Sequence, residues 1–243
     1  SCHLHVSRIA WNCPHPTDGP VWGGVVQAVS KPYSEVDFST QVTEDRNWRI
    51  KEISDLKSAI RQGDDGTRRV LLRALVTICY AHWEGYVRFA AKKYLEHVAL
   101  RKLQYSQLGP QFFKNYFLPR LAFTYGRNLS IAERCALVEE ILTSSDRRFS
   151  RVNEELVNTK ANLNFEVFSD ICVVCGVTAE PFSEKSTFID VVLLKRRNAI
   201  AHGEETLVVL GDLDEVANGT VTLMRAFGDA LENQVVLKTY KVA

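Results

Sequence analysis

The chain predicts an all-α fold, an elaborated antiparallel helical bundle. Three observations carry that expectation. Apolar residues recur at helical spacing over several long stretches, strand-like alternation is almost absent, and Gly, Asn, Ser and Asp fall where such helices should begin and end. With 243 residues, 46% of them apolar, the chain can bury a sizeable core as one large domain or as one domain plus an extension. It contains no internal repeat and no low-complexity segment.

Residues 1–37 carry Pro14, Pro16, Pro20, Pro32 and a Gly23-Gly24 pair without a helical period, and are read as an irregular N-terminal extension of unassigned role. Cys2, His3, His5 and Cys13 in such a terminus do not make a metal site. The domain proper is expected over 38–243. Val42, Ile50, Ile53, Leu56 and Ile60 predict an amphipathic helix over 39–62, ended by Gly63-Asp-Asp-Gly66. The next helix, 67–99, is the longest. Its first half, Val70 through Tyr80, is apolar on nearly all sides, which places it at the centre of the bundle.

Gly109-Pro110 interrupts the chain before a short aromatic helix or turn over 111–118, with Phe112, Phe113, Tyr116 and Phe117. Ser130 and Glu133 form a capping box for a helix over 131–143. Residues 147–160 are polar and ambiguous, whereas 165–174 are apolar and end at Gly176. A further helix runs from Ser183 or Ser186 to His202. The last, 213–236, carries Val216, Val221, Leu223, Met224, Phe227 and Leu231, and between these two helices Thr206–Leu210 is the one short β-like run of note.

The formal net charge is +1, so bulk charge does not announce a nucleic-acid binder. Its distribution says more. Between Thr67 and Lys102 stand Arg68, Arg69, Arg73, Arg88, Lys92, Lys93, Arg101 and Lys102 against Glu84 and Glu96, while Gly203 to Gln234 holds seven acids and only Arg225. The two segments either form a basic face for a polyanion and an acidic face elsewhere, or neutralise each other in the fold. The six cysteines are scattered, which favours free thiols in a reducing compartment; Cys172-Val-Val-Cys175 has redox or zinc spacing but apolar neighbours and no second ligand pair, and reads as buried helix cysteine. No run approaches the ~20 apolar residues of a membrane span, and no compact signal core stands at the N-terminus. A soluble cytoplasmic protein with no membrane partner is expected.

The stretch with chemical content is Lys195-Arg196-Arg197-Asn198-Ala199-Ile200-Ala201-His202-Gly203, at the end of an apolar run starting near Phe188. A guanidinium carries a permanent charge in a planar fork that fits phosphate oxygens. An imidazole gives or takes a proton near neutrality. The spacing alone is cheap: with 18 Arg and six His, chance supplies roughly one Arg to His pair with four to six residues between, and the chain has three, at Arg197 and Arg196 with His202 and at Arg8 with His15. Context favours the first two, because the apolar helix before them and the glycine after them set a helix tip. A solvated basic helix end with a C-terminal histidine is the plainer alternative.

A second polar feature lies within the longest helix, in Ala81-His82-Trp83-Glu84-Gly85-Tyr86. If Glu84 faces the core it needs a cation or several donors, and Arg197 or another arginine would supply one. It is then either a structural ion pair or a carboxylate that orients Arg197 or His202. His82 reads as a hydrogen-bonded packing residue. Trp48-Arg49 and Glu52 on the first helix raise the same question.

Arg197-Asn198-Ala199-Ile200-Ala201-His202 resembles the signature of the HEPN superfamily (higher eukaryotes and prokaryotes nucleotide-binding), and Trp48-Arg49-Ile50-Lys51-Glu52 with Ala81–Tyr86 resembles its MAE-type or RiboL-PSP-type branch. The resemblance covers roughly 38–243. It implies a helical bundle that dimerises so that two copies of the motif face one cleft, and a metal-independent endoribonuclease of toxin-antitoxin or antiviral defence systems, with RNA as substrate and a cognate antitoxin as a possible partner. Some relatives only bind RNA, nucleotide or protein. On this reading His202 transfers protons, Arg197 stabilises the transition state, Asn198 holds the imidazole or a phosphate from the same helix face, and Glu84 supports them; no metal or cofactor is called for.

Overall fold

The computed structural model describes residues 30–160 and 162–242, and the larger of its two compact units runs from Lys31 to Ala243. Of the N-terminal extension, the prolines up to Pro20, the glycine pair and Cys2, His3, His5 and Cys13 lie outside the described residues. Helix α1 (Glu35–Gln62) starts four residues earlier than its apolar period suggested, because Ser34 and Asp37 form a capping box. The Ser34 hydroxyl accepts from the Asp37 N–H at 3.0 Å, and the Asp37 carboxylate accepts from the Ser34 N–H at 2.8 Å.

Gly63 and Asp64 turn the chain into α2 (Asp65–Leu100), where the Asp64 carboxylate accepts from the Thr67 N–H at 2.8 Å. So short a turn returns α2 antiparallel to α1. Phe38 accordingly meets Tyr94 and His97, and Trp48 meets His82. Leu75, Val76, Cys79, Trp83, Tyr86, Val87, Ala90 and Tyr94 on α2 are fully buried. Much of the helix is buried because α1, α5 (Phe165–Cys175), α7 (Asp212–Val236) and the motif helix pack around it.

Helix α7 runs antiparallel to α1, as the ion pairs Glu35 with Lys238, Arg46 with Asp229, and both Lys57 and Arg61 with Asp214 show by their reversed order. Exposed pairs of this kind add little stability. Buried rings set the register: Trp83 lies between Phe168 of α5 at 5.1 Å and Phe227 of α7 at 6.5 Å.

Helix α3 (Pro110–Thr124) is longer than the aromatic segment that announced it and continues through Pro119. The expected box of Ser130 and Glu133 opens α4 (Ile131–Thr143), which buries none of its residues. The ambiguous stretch after residue 147 holds one 3-10 turn, Glu154–Val157, and tucks Phe149 and Val157 into the core. Thr206–Leu210 forms no strand. The carbonyls of Glu204 and Thr206 are instead taken by the Arg73 guanidinium, both at 3.0 Å. Among the described residues there is no strand at all, only two isolated bridges, so the fold is an all-α bundle.

Where one α-helix was expected before the motif, Phe188–Lys195 is wound as a π-helix that leads without a break into α6 (Arg196–Ala201). Two contacts hold it. The Phe188 ring occupies the space above Gly219 of α7, where a Cβ would meet it at 2.4 Å, and Asp190 accepts from the Phe165 N–H at 2.7 Å. Wider winding places residues five apart on one face, so Asp190 and Lys195 come to line the same groove.

Candidate active site at the tip of the motif helix

The tip is closed as its glycine required. Gly203 has φ +79°, and the N–H groups of His202, Gly203 and Glu204 donate back to Asn198, Ile200 and Ala199 at 2.9, 3.1 and 2.9 Å. Arg73 of α2 anchors the chain just beyond through its two carbonyl bonds. His202 therefore stands on a fixed backbone with an exposed side chain. It lines an open groove of about 340 Å³ with Asn198, Asp190, Leu194, Lys195 and Glu204. Asn198 and His202 share this groove because residues four apart share a helix face.

Arg197 points elsewhere. Its guanidinium carbon lies 4.0 Å from the centre of the Tyr80 ring, and its Nη2 is 3.4 Å from Asn162 Oδ1. The same Oδ1 lies 3.5 Å from Asn198 Nδ2, so one exposed amide meets both Arg197 and Asn198. Within one protomer the structure does not bring Arg197 to His202. The other arginine at permitted spacing, Arg196, is paired with the Asp212 carboxylate at 3.2 Å, whereas Arg197 is held by a ring and an amide.

Tyr80 is the floor of this arrangement. It is 2% exposed, and its hydroxyl accepts from the Leu163 N–H at 2.6 Å. Burial pushes its pKa up; the Leu163 bond and Arg197 pull it down, and the nearby Glu84 charge adds to the rise. Glu84 itself is half-buried and accepts from the Thr159 hydroxyl at 2.5 Å. Among the described residues it makes no ion pair within 4.0 Å, so the expected pairing with Arg197 is not found. Partial exposure and a hydroxyl donor suffice where full burial would have demanded a cation.

The other two stretches meet each other across α1 and α2. Arg49 grips Asp45 with Nε and Nη2, at 2.7 and 3.2 Å, and lies 4.5 Å from the centre of the Trp48 ring. It also lies over Gly85, where a Cβ would stand 2.7 Å from Arg49 Nη1, so a larger residue would displace that guanidinium. His82 is buried, edge-on to Trp48, with Nε2 2.8 Å from Glu52 Oε2. Burial lowers its pKa more than Glu52 raises it, which suits a packing role.

Cys172 and Cys175 are buried free thiols whose pKa values burial raises, that of Cys172 to about 12, so neither is a nucleophile. Among the described residues no three His, Cys, Asp or Glu side chains converge as a metal site. Sequence reasoning missed Tyr80, Asn162, Thr159 and Arg73, none of which carries a local signal. Asp190 did carry one, as the lone acid inside the apolar run Phe188–Leu194.

The sequence model of the family described as RiboL-PSP-HEPN matches residues 44–233, a span that takes in all three stretches. No curated protein and no solved structure matches the chain.

Proposed function

From the premise that the chain belongs to the RiboL-PSP-HEPN family, whose domains are ribonucleases or RNA-binding modules, we propose that it is a metal-independent endoribonuclease acting as a homodimer. The observation that carries this reading is the exposed imidazole of His202, held at a closed helix tip beside Asn198 in an open groove. That is where a proton-transfer group must stand to reach a substrate.

Cleavage proceeds by attack of the RNA 2′-hydroxyl on the adjacent phosphorus. His202 takes the hydroxyl proton, the new 2′-O–P bond forms, and the 5′-oxygen leaves with a proton from a second imidazole, giving a 2′,3′-cyclic phosphate and a free 5′-hydroxyl. One protomer offers one suitable histidine, so the acid comes from a second copy across a two-fold axis. Arg197 offsets the charge that builds on the equatorial oxygens, Asn198 orients imidazole or phosphate, and Glu84 supports them from near Tyr80. Toxin or defence activity, with or without an antitoxin partner, is the biological setting that we attach to this chemistry.

The test is RNA cleavage in chelator by wild type, His202→Ala and Arg197→Ala, with the products assayed for a cyclic phosphate. Loss in both variants supports the proposal; full activity in both, or activity that chelator abolishes, sinks it. One observation favours a second reading. Arg197 rests on Tyr80 and away from His202 in the single protomer, as it can in a module that only binds RNA. Such a module keeps salt-sensitive binding in His202→Ala and yields no cyclic phosphate.

A further inference from the structure

We propose that a second groove, between α2 and the 154–158 segment, holds the backbone of single-stranded RNA on its way to the helix tip. The inference rests on the reading of RNA as the substrate. The groove measures about 530 Å³ and is lined by Arg49 of α1 and by Gly85, Arg88, Phe89 and Lys92 of α2.

Three features point to this ligand. Arg49 spends Nε and Nη2 on Asp45, and its Nη1, over Gly85, has no hydrogen-bond partner among the described residues. Arg88 is exposed and makes no ion pair among them. Lys92 is paired with Glu154 at 2.7 Å, but the two side chains are 36% and 66% exposed, so a phosphate can displace that carboxylate at small cost. Phe89 supplies a ring for a base, and cations flanking an aromatic face are what a single strand needs, whatever its sequence. Glu154 and Glu155 on the opposite wall repel a polyanion, which keeps the site weak and sensitive to salt.

Position ties the groove to the tip. Tyr80, Glu84, Arg88 and Lys92 recur every four residues and form one ridge of α2. Arg88 lies about 12 Å, and Lys92 about 18 Å, along the axis from the residue that carries Arg197. The segment that walls the groove runs directly into Thr159 and Asn162, which touch Glu84 and the motif. A strand seated on Arg88 and Lys92 thus continues toward Tyr80 and Arg197. This is also a use for part of the basic run between Thr67 and Lys102; Arg68 and Arg73 are spent on structure, holding the carbonyls of Gly63 and of Glu204 and Thr206.

The experiment measures the Kd of a short fluorescent 2′-O-methyl RNA, which has no hydroxyl to attack, as a function of salt. Arg88→Gln with Lys92→Gln should raise Kd about tenfold at low salt and flatten the log–log salt slope by about 0.7 for each phosphate contact removed. Glu154→Gln should do the opposite and tighten binding a few-fold. Unchanged Kd and slope in the double variant, no binding by wild type, or equal competition by polyglutamate overturns the groove assignment. Wild type that cuts RNA while the groove variants bind normally sinks the groove alone; groove-dependent binding without cleavage sinks the ribonuclease reading alone.

Discussion

The Arg197 guanidinium carbon sits 4.0 Å from the centre of the Tyr80 ring, while the hydroxyl of that ring is held by the Leu163 N–H at 2.6 Å. Face and tip of one buried phenol thus serve two partners. Tyr80→Phe keeps the ring beneath Arg197 and leaves a buried N–H unpaired, which should cost about 1–3 kcal/mol, read as a lower urea midpoint. Tyr80→Leu also removes the aromatic face, worth about 0.5–2 kcal/mol to a cation. RNA cleavage should therefore fall about two- to thirtyfold further in Leu than in Phe, and equal activities would show that the ring does not hold the arginine.

Asn162 Oδ1 faces both Arg197 Nη2 and Asn198 Nδ2 from an exposed position. Asn162→Ala should lower cleavage about fivefold, the worth of one ordinary hydrogen bond, and leave the urea midpoint unchanged. Asn162→Asp places a carboxylate against the guanidinium and cancels the charge that the transition state needs. It should cleave more slowly than the alanine variant. A faster aspartate variant would mean that Arg197 does not act through its charge.

The parts of this structure that were legible in sequence are those decided within a few residues. Ser130 with Glu133, Gly176 and Gly203 each announce a helix end, because a cap or a left-handed φ needs that side chain or the lack of one. The π segment was not legible, since Phe188 is placed by Gly219 and Asp190 by the Phe165 N–H, both remote in the chain. The setting of Arg197 was hidden for the same reason: Tyr80 reads as one more apolar residue and Asn162 as one more polar one. Glu84 was half legible. Its need for a donor could be read from its neighbours, but that Thr159 meets it, and that the site stays partly wet, depends on where the 154–163 segment lies.

Gly228 of α7 faces the Tyr86 hydroxyl so closely that an added Cβ would stand 2.2 Å from it and 2.8 Å from Arg46 Nη1. Alanine in a helix is ordinarily better than glycine by about 1 kcal/mol. Here the fully buried Tyr86 cannot retreat, so Gly228→Ala should instead destabilise by about 1–3 kcal/mol. The closest clash is with the Tyr86 oxygen, the next ring atom being 3.4 Å away, and Arg46 Nη1 is the end of a flexible chain. Adding Tyr86→Phe should recover much of the loss, and urea melts of the two single variants and the double variant measure that coupling. Strict additivity would show that the hydroxyl is not the obstacle.

His97 is fully buried between the rings of Phe38 and Tyr240, and its neutral Nδ1–H donates to the Pro32 carbonyl at 3.0 Å. Burial, joined by Arg101, lowers its pKa against the opposing pull of Pro32, Glu35 and Asp37. Above the unfolded-state value of about 6.5 the ring is neutral folded or unfolded and contributes no pH dependence. As pH falls through that value the unfolded chain binds the proton first, so stability drops until the lower folded value is passed. His82 is shifted the same way and adds to the slope. The urea midpoint should therefore decline from about pH 7 to pH 5. His97→Asn keeps a donor for Pro32 without a titrating ring and should flatten that decline, the remaining slope belonging to His82; an unchanged slope would mean that protonating His97 does not oppose the fold.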